Sequence, residues 1–104
     1  MRFLLDYQQK SVRLTDERLA HVMGHPEMRG LESALAEALC EPEHVVISAS
    51  DPSVRLYYRL QKGTAVGDKQ LCVVVKITQA GAFVLTAYLT DKVKKGEGVW
   101  LSVG

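Results

Sequence analysis

The chain of 104 residues is short of the devices that staple small proteins together, having only two cysteines, three prolines and seven aromatic residues. Cys40 falls in a helical pattern and Cys72 in a strand pattern, without the paired spacing of a zinc knuckle or redox motif. Both are expected to be small buried hydrophobes. No apolar run approaches the roughly 18 residues of a membrane span. The opening "MRFLLDYQQK" meets a carboxylate and two glutamines after a few apolar residues, unlike a signal peptide. A cytoplasmic protein with no membrane partner is therefore the expectation. At 47% hydrophobic residues, the chain can bury a modest core as a single domain over residues 1–104.

The net charge is only +1, but it is unevenly spread. Residues 1–52 carry five Lys/Arg against nine Asp/Glu, and residues 53–104 carry eight against three. An anionic ligand is expected to meet the second half.

Thr15 reads as a helix N-cap, followed by Asp16 and Glu17 in the first turn and by Leu19, Val22 and Met23 as an apolar stripe. Arg18 and His21 take the other face. The helix should stop near Gly24, because Pro26 biases His25 away from helical geometry. A second helix is expected in "LESALAEALCE", before Pro42. The period then changes to alternation in "EHVVISA", "VRLYYRL", "LCVVVKIT" and "AFVLTAYLT", which reads as four strands. "RFLLDY" offers a short N-terminal edge strand. The fold class expected is α+β, with two N-terminal helices packed on a four-stranded antiparallel sheet.

Alternation assigns the strand faces. Val54, Leu56, Tyr58 and Leu60 are expected under the helices, leaving Arg55, Tyr57 and Arg59 opposite. Leu71, Val73, Val75 and Ile77 leave Lys76 opposite, and Phe83, Leu85, Ala87 and Leu89 leave Thr86 and Tyr88 opposite. A ten-residue loop is expected from Gln61 to Gln70. A three-residue loop, Gln79 to Gly81, would pair residue 76 with 84 and keep the polar positions on one face. The expected open face is therefore Arg55, Tyr57, Arg59, Lys76, Thr86 and Tyr88, without a carboxylate. Such groups can neutralise a phosphate and stack on or hydrogen-bond a nucleotide. They are equally ordinary on a solvated sheet.

The stretches "LTDERLAHVMGHPEM", "EPEHVVIS", "VRLYYR", "LCVVVKI" and "FVLTAYLTDKVKKGE" resemble the barnase/EndoU/colicin/RelE-like nuclease superfamily, in particular its small phage-associated and bacterial branch. The resemblance spans about residues 12–97. It implies a RelE-like domain and metal-independent RNA cleavage, in which a ribose 2′-hydroxyl attacks the adjacent phosphate. In that reading His21 or His25 is the general base, Arg55 and Lys76 hold the phosphate, Thr86 hydrogen-bonds a phosphoryl oxygen, and Tyr88 donates a proton or stacks on a base. Arg18, Tyr57, Arg59, Lys92, Lys94 and Lys95 are the expected RNA-binding residues. No cofactor and no metal is expected. The alternative is a non-catalytic RNA- or protein-binding module of the same fold. RNA is the expected partner, with an antitoxin protein and a second copy of the chain as further candidates.

Histidines at i and i+4 can share zinc, but here Val22 stands where H-E-x-x-H has glutamate, and Pro26 turns His25 away. A histidine at a helix C-terminus also gains from the dipole, which would account for His25 without any chemistry. Residues 91–104, with Lys92, Lys94 and Lys95, read as a basic C-terminal extension.

Overall fold

The computed structural model describes residues 1–93 in full, and residues 96–101 by backbone alone. The elements are β1 (Arg2–Leu5), β2 (Ser11–Leu14), α1 (Asp16–Met23), a 3-10 turn (Pro26–Met28), α2 (Glu32–Cys40), β3 (His44–Ser48), β4 (Val54–Thr64), β5 (Gly67–Thr78), β6 (Gly81–Thr90) and β7 (Gly96–Leu101).

The strands form one sheet in the order β1-β2-β6-β5-β4-β3-β7. Neighbours are antiparallel except β2 and β6, which are parallel where Val12 meets Ala82 and Arg13 meets Phe83. This corrects the expected four-stranded antiparallel sheet under two helices: the sheet is mixed and has seven strands among the described residues. The cause is at the ends of the chain. "SVRL", too short to announce itself by alternation, docks beside β6, brings β1 with it, and turns the sheet from purely antiparallel to mixed. Backbone Gly96–Leu101, within the expected extension, adds a strand outside β3.

Helix α1 starts where the sequence indicates. Thr15 Oγ1 accepts the Arg18 backbone N–H at 3.1 Å, and Asp16 and Glu17 occupy the first turn. His25 is extended, with φ −80° and ψ 122°, and Pro26 opens the 3-10 turn. Val22 from α1, Met28 from the turn, and Ala34, Leu35, Ala38 and Leu39 from α2 pack onto Val45, Tyr57, Leu71, Val73, Val75, Val84 and Ala87 of the sheet. The loop between β1 and β2 leans over the same side, where the Asp6 carboxylate accepts the Tyr57 hydroxyl at 3.1 Å.

The other side of the sheet has its own small core. Val46, Leu56, Tyr58 and Cys72 are buried there, with Val54, Val74, Tyr88 and Val93 packed against them. Val93 follows β6 by three residues, so the chain leaving that strand covers part of this face. Cys72 is buried as expected, whereas Cys40 is exposed.

No helix among the described residues is long and apolar enough to cross a membrane.

Candidate nucleic-acid interface

The site is determined by which side each strand residue takes. In β4 the expected assignment is reversed. Arg55, Tyr57 and Arg59 lie on the helix side, and Val54, Leu56 and Tyr58 on the open side. Both sides of this strand are partly buried, so its apolar residues could not identify the helix side. The polar residues were satisfied under the helices instead. Arg59 Nε donates to Glu37 Oε1 at 2.7 Å and its Nη1 to the Glu41 carbonyl at 2.7 Å, both from α2 and its C-cap. Tyr57 meets Asp6, and Arg55 Nη1 donates to the Pro52 carbonyl at 2.5 Å.

The hairpin joining β5 and β6 differs from expectation at its tip and agrees further in. Thr78 pairs with Gly81 and Lys76 with Phe83, so the turn has two residues, Gln79 and Ala80. The register then shifts, pairing Val74 with Thr86 and Cys72 with Tyr88. The extra residue expected in the loop is taken up as a β-bulge at Leu85, which bends and twists the strand. Arg18 Nη1 donates to the Leu85 carbonyl at 3.5 Å, tying α1 to the bulge. One consequence is that Phe83 faces outward and Val84 inward, opposite to expectation. Thr86 and Tyr88 remain outward.

Register now defines a row across five strands on the open side. Phe3 of β1 pairs with Arg13 of β2, Arg13 with Phe83 of β6, Phe83 with Lys76 of β5, and Lys76 with Val54 of β4. Aromatic and cationic side chains alternate along it. The Arg13 guanidinium carbon lies 5.8 Å from the Phe83 ring centroid, a cation–π contact. Phe3 is 65% exposed and Leu5, on the same face of β1, 55%. Thr86 stands beside this row, with Tyr88 beyond it. Burial and the neighbouring Cys72 hold the Tyr88 phenol well above its usual pKa.

Lys76 Nζ is 2.8 Å from Asp51 Oδ2, so a carboxylate does reach this face. Asp51 Oδ1 also accepts the Ser53 backbone N–H at 3.0 Å and its hydroxyl at 2.6 Å. These hydrogen bonds, that from Lys76 first, hold the Asp51 carboxyl far below the usual carboxylate range.

The structure places Lys76, Thr86 and Tyr88 on one face of the sheet, with Tyr88 four positions along from Lys76. It does not bring the histidines to them. His21 and His25 are exposed on the helix layer, across the sheet, their rings edge to face with centroids 5.6 Å apart. His25 Nδ1 is 3.8 Å from Glu27 Oε1. Arg55, Tyr57 and Arg59 share the helix side. Lys92 is exposed just after β6, and Lys94 and Lys95 lie outside the described residues. Sequence reasoning missed Phe3, Arg13 and Phe83. Only the register of β1, β2 and β6 joins them, and the bulge decides that Phe83 faces outward. No cluster of three or more His, Cys, Asp or Glu side chains that could hold a metal occurs among the described residues.

No protein-family model, curated protein or solved structure matches the chain.

Proposed function

We propose that the protein binds single-stranded RNA on the open side of its sheet. The observation that carries this reading is the row Phe3, Arg13, Phe83, Lys76, which alternates surfaces for stacking bases with cations for phosphates. Single-stranded RNA is commonly held in that way, with aromatic side chains under unstacked bases and a positive path along the backbone. Thr86 adds a hydroxyl beside the row. The sequence resemblance to the barnase/EndoU/colicin/RelE-like superfamily supports RNA as the ligand class.

The test is fluorescence anisotropy with labelled single-stranded RNA in EDTA. Phe83→Ala should weaken binding by about 5- to 160-fold, since one base stack contributes roughly 1–3 kcal/mol. Arg13→Gln should lower the salt dependence of log K by about 0.7, the value for one phosphate contact on a single strand. Equal affinity for wild type and both variants would refute the interface.

Cleavage is the second reading, favoured by the contact between His21 and His25. Two exposed imidazoles side by side can divide the roles of base and acid without metal. Because they lie across the sheet from Lys76, Thr86 and Tyr88, any cations assisting them must come from elsewhere, and Arg18 stands one turn earlier on the same helix. The same RNA, run on a denaturing gel, tests this. Cutting in EDTA that is lost in His21→Ala and His25→Ala supports cleavage at the helix. Intact RNA leaves the protein a binder.

A further inference from the structure

Arg55 and Tyr57, turned away from the open face, line a cleft on the helix side with the loop between β1 and β2. Its volume is about 220 Å³, and its walls include Asp6, Tyr7, Lys10, Arg55, Tyr57 and Ile77. We propose that this cleft is a second binding site, for the phosphoryl group of a small phosphate monoester such as a mononucleotide or a terminal phosphate.

The cleft is built around a buried carboxylate whose hydrogen bonds all point inward. Asp6 is 4% exposed. Its Oδ1 accepts the backbone N–H groups of Gln8 and Lys10, both at 2.9 Å, and its Oδ2 accepts the Tyr57 hydroxyl. Asp6 therefore fixes the loop that carries Tyr7 and Lys10, and its charge is already engaged by three donors. The Tyr7 ring stands edge-on to Tyr57, with centroids 6.2 Å apart, which completes a rigid wall. Arg55 is anchored at the rim by the Pro52 carbonyl.

Two cationic residues, Lys10 and Arg55, line this space, and neither forms an ion pair among the described residues. A phosphate monoester carries a charge of about −1.5 to −2 at pH 7, which these two cations attract even though the hydrogen-bonded Asp6 carboxylate reduces the formal charge of the lining to +1. The guanidinium fork suits two phosphoryl oxygens, and the ammonium adds a point charge. Size gives a further limit. At about 220 Å³ the cleft has room for a phosphate and part of the sugar beside it. The phenol rings supply an apolar wall for that sugar.

Isothermal titration with inorganic phosphate, a 5′-mononucleotide and the corresponding nucleoside tests the site. Phosphate and mononucleotide should saturate one site per chain, and the nucleoside should not bind. Arg55→Gln and Lys10→Gln should each weaken the mononucleotide at least about tenfold, as expected for a lost charge-assisted contact, while Lys62→Gln on the distant hairpin should not. Thermal melts of both variants check that they remain folded. Equal binding of nucleoside and mononucleotide, or affinity unchanged by Arg55→Gln, would overturn the proposal. Comparing a short RNA with a 5′-phosphate against its 5′-hydroxyl twin separates the two sources: an Arg55-dependent preference identifies a strand end, and its absence beside mononucleotide binding identifies the free nucleotide. Phe83→Ala should leave all these titrations unchanged, so the cleft and the open face fail or stand separately.

Discussion

Asp51 limits how strongly Lys76 can act on a ligand. Their contact is half-exposed, so it is readily exchanged for a phosphate, but the exchange costs Asp51 its partner. Asp51→Asn should therefore tighten RNA binding and steepen its salt dependence, by up to about 0.7 in log K per log salt. Anisotropy across a salt series reads this, and weaker binding would contradict it. The same carboxyl contributes to stability with a definite sign. Its folded pKa lies below its unfolded one, so its contribution is complete above about pH 4 and is lost as pH falls through the folded value. Urea melts should show wild type losing more stability than Asp51→Asn between about pH 4 and pH 2. On the helix side, Tyr57→Phe removes one of three donors to the buried Asp6 and should cost about 1.5–3 kcal/mol. At this scale the sequence was legible only where a residue had a single way to be satisfied. Thr15 was recognised as a cap. Arg55, Tyr57 and Arg59 were misplaced because their partners, Pro52, Asp6, Glu37 and the Glu41 carbonyl, are set by tertiary structure.

Two hairpins of the sheet close with the same four-residue device. Thr64-Ala65-Val66-Gly67 ends β4 and begins β5, and Thr78-Gln79-Ala80-Gly81 does the same for β5 and β6. In each, the threonine hydroxyl donates to the glycine carbonyl and accepts a backbone N–H two residues on. In each, the glycine has positive φ, 95° at Gly67 and 118° at Gly81. The repeated Thr-x-x-Gly was visible in the sequence and would have shortened the ten-residue loop to its actual two-residue tip. What it could not reveal is the bulge at Leu85, which depends on the pairing further along. Gly81→Ala would meet no neighbour within 4 Å, so its effect should be backbone strain alone, roughly 1 kcal/mol or more in chemical denaturation. Thr15→Ala should cost about 1 kcal/mol by loss of the cap to α1. The strands β3 to β6 and both helices were legible from periodicity. β2, with four residues, was not, because so short a run satisfies either period.

The molecule as a whole is a sheet with two unequal cores, and this explains the largest error in the sequence reading. Alternation identifies a face only when the other face is wet, and in β4 and β5 neither is. Among the described residues, the outer core is covered by Val93 rather than by a helix, so nothing in the helical pattern could announce it. The C-terminal strand also closes the edge of β3, whose backbone Val45–Ile47 would otherwise stand open beside an apolar run. Ending the chain after Val93 should therefore promote self-association, visible as a concentration-dependent shift in light scattering, while an unchanged monomer would argue that β7 protects nothing.

The parallel pairing of β2 with β6 also imposes an order of events during synthesis. Val12 must wait for Ala82, and at about 5–20 residues per second that is a delay of several seconds after β2 has been made. Through that interval the hairpin of β1 and β2 lacks its sheet neighbour and has only the helices to pack Leu4, Val12 and Leu14 against. Phe3 and Leu5, exposed even in the finished sheet, are then joined on the nascent strand by apolar neighbours that still await their sheet partners. β1 and β2 are thus among the last elements to be secured, and any factor that captures an apolar nascent segment would meet them before β6 does.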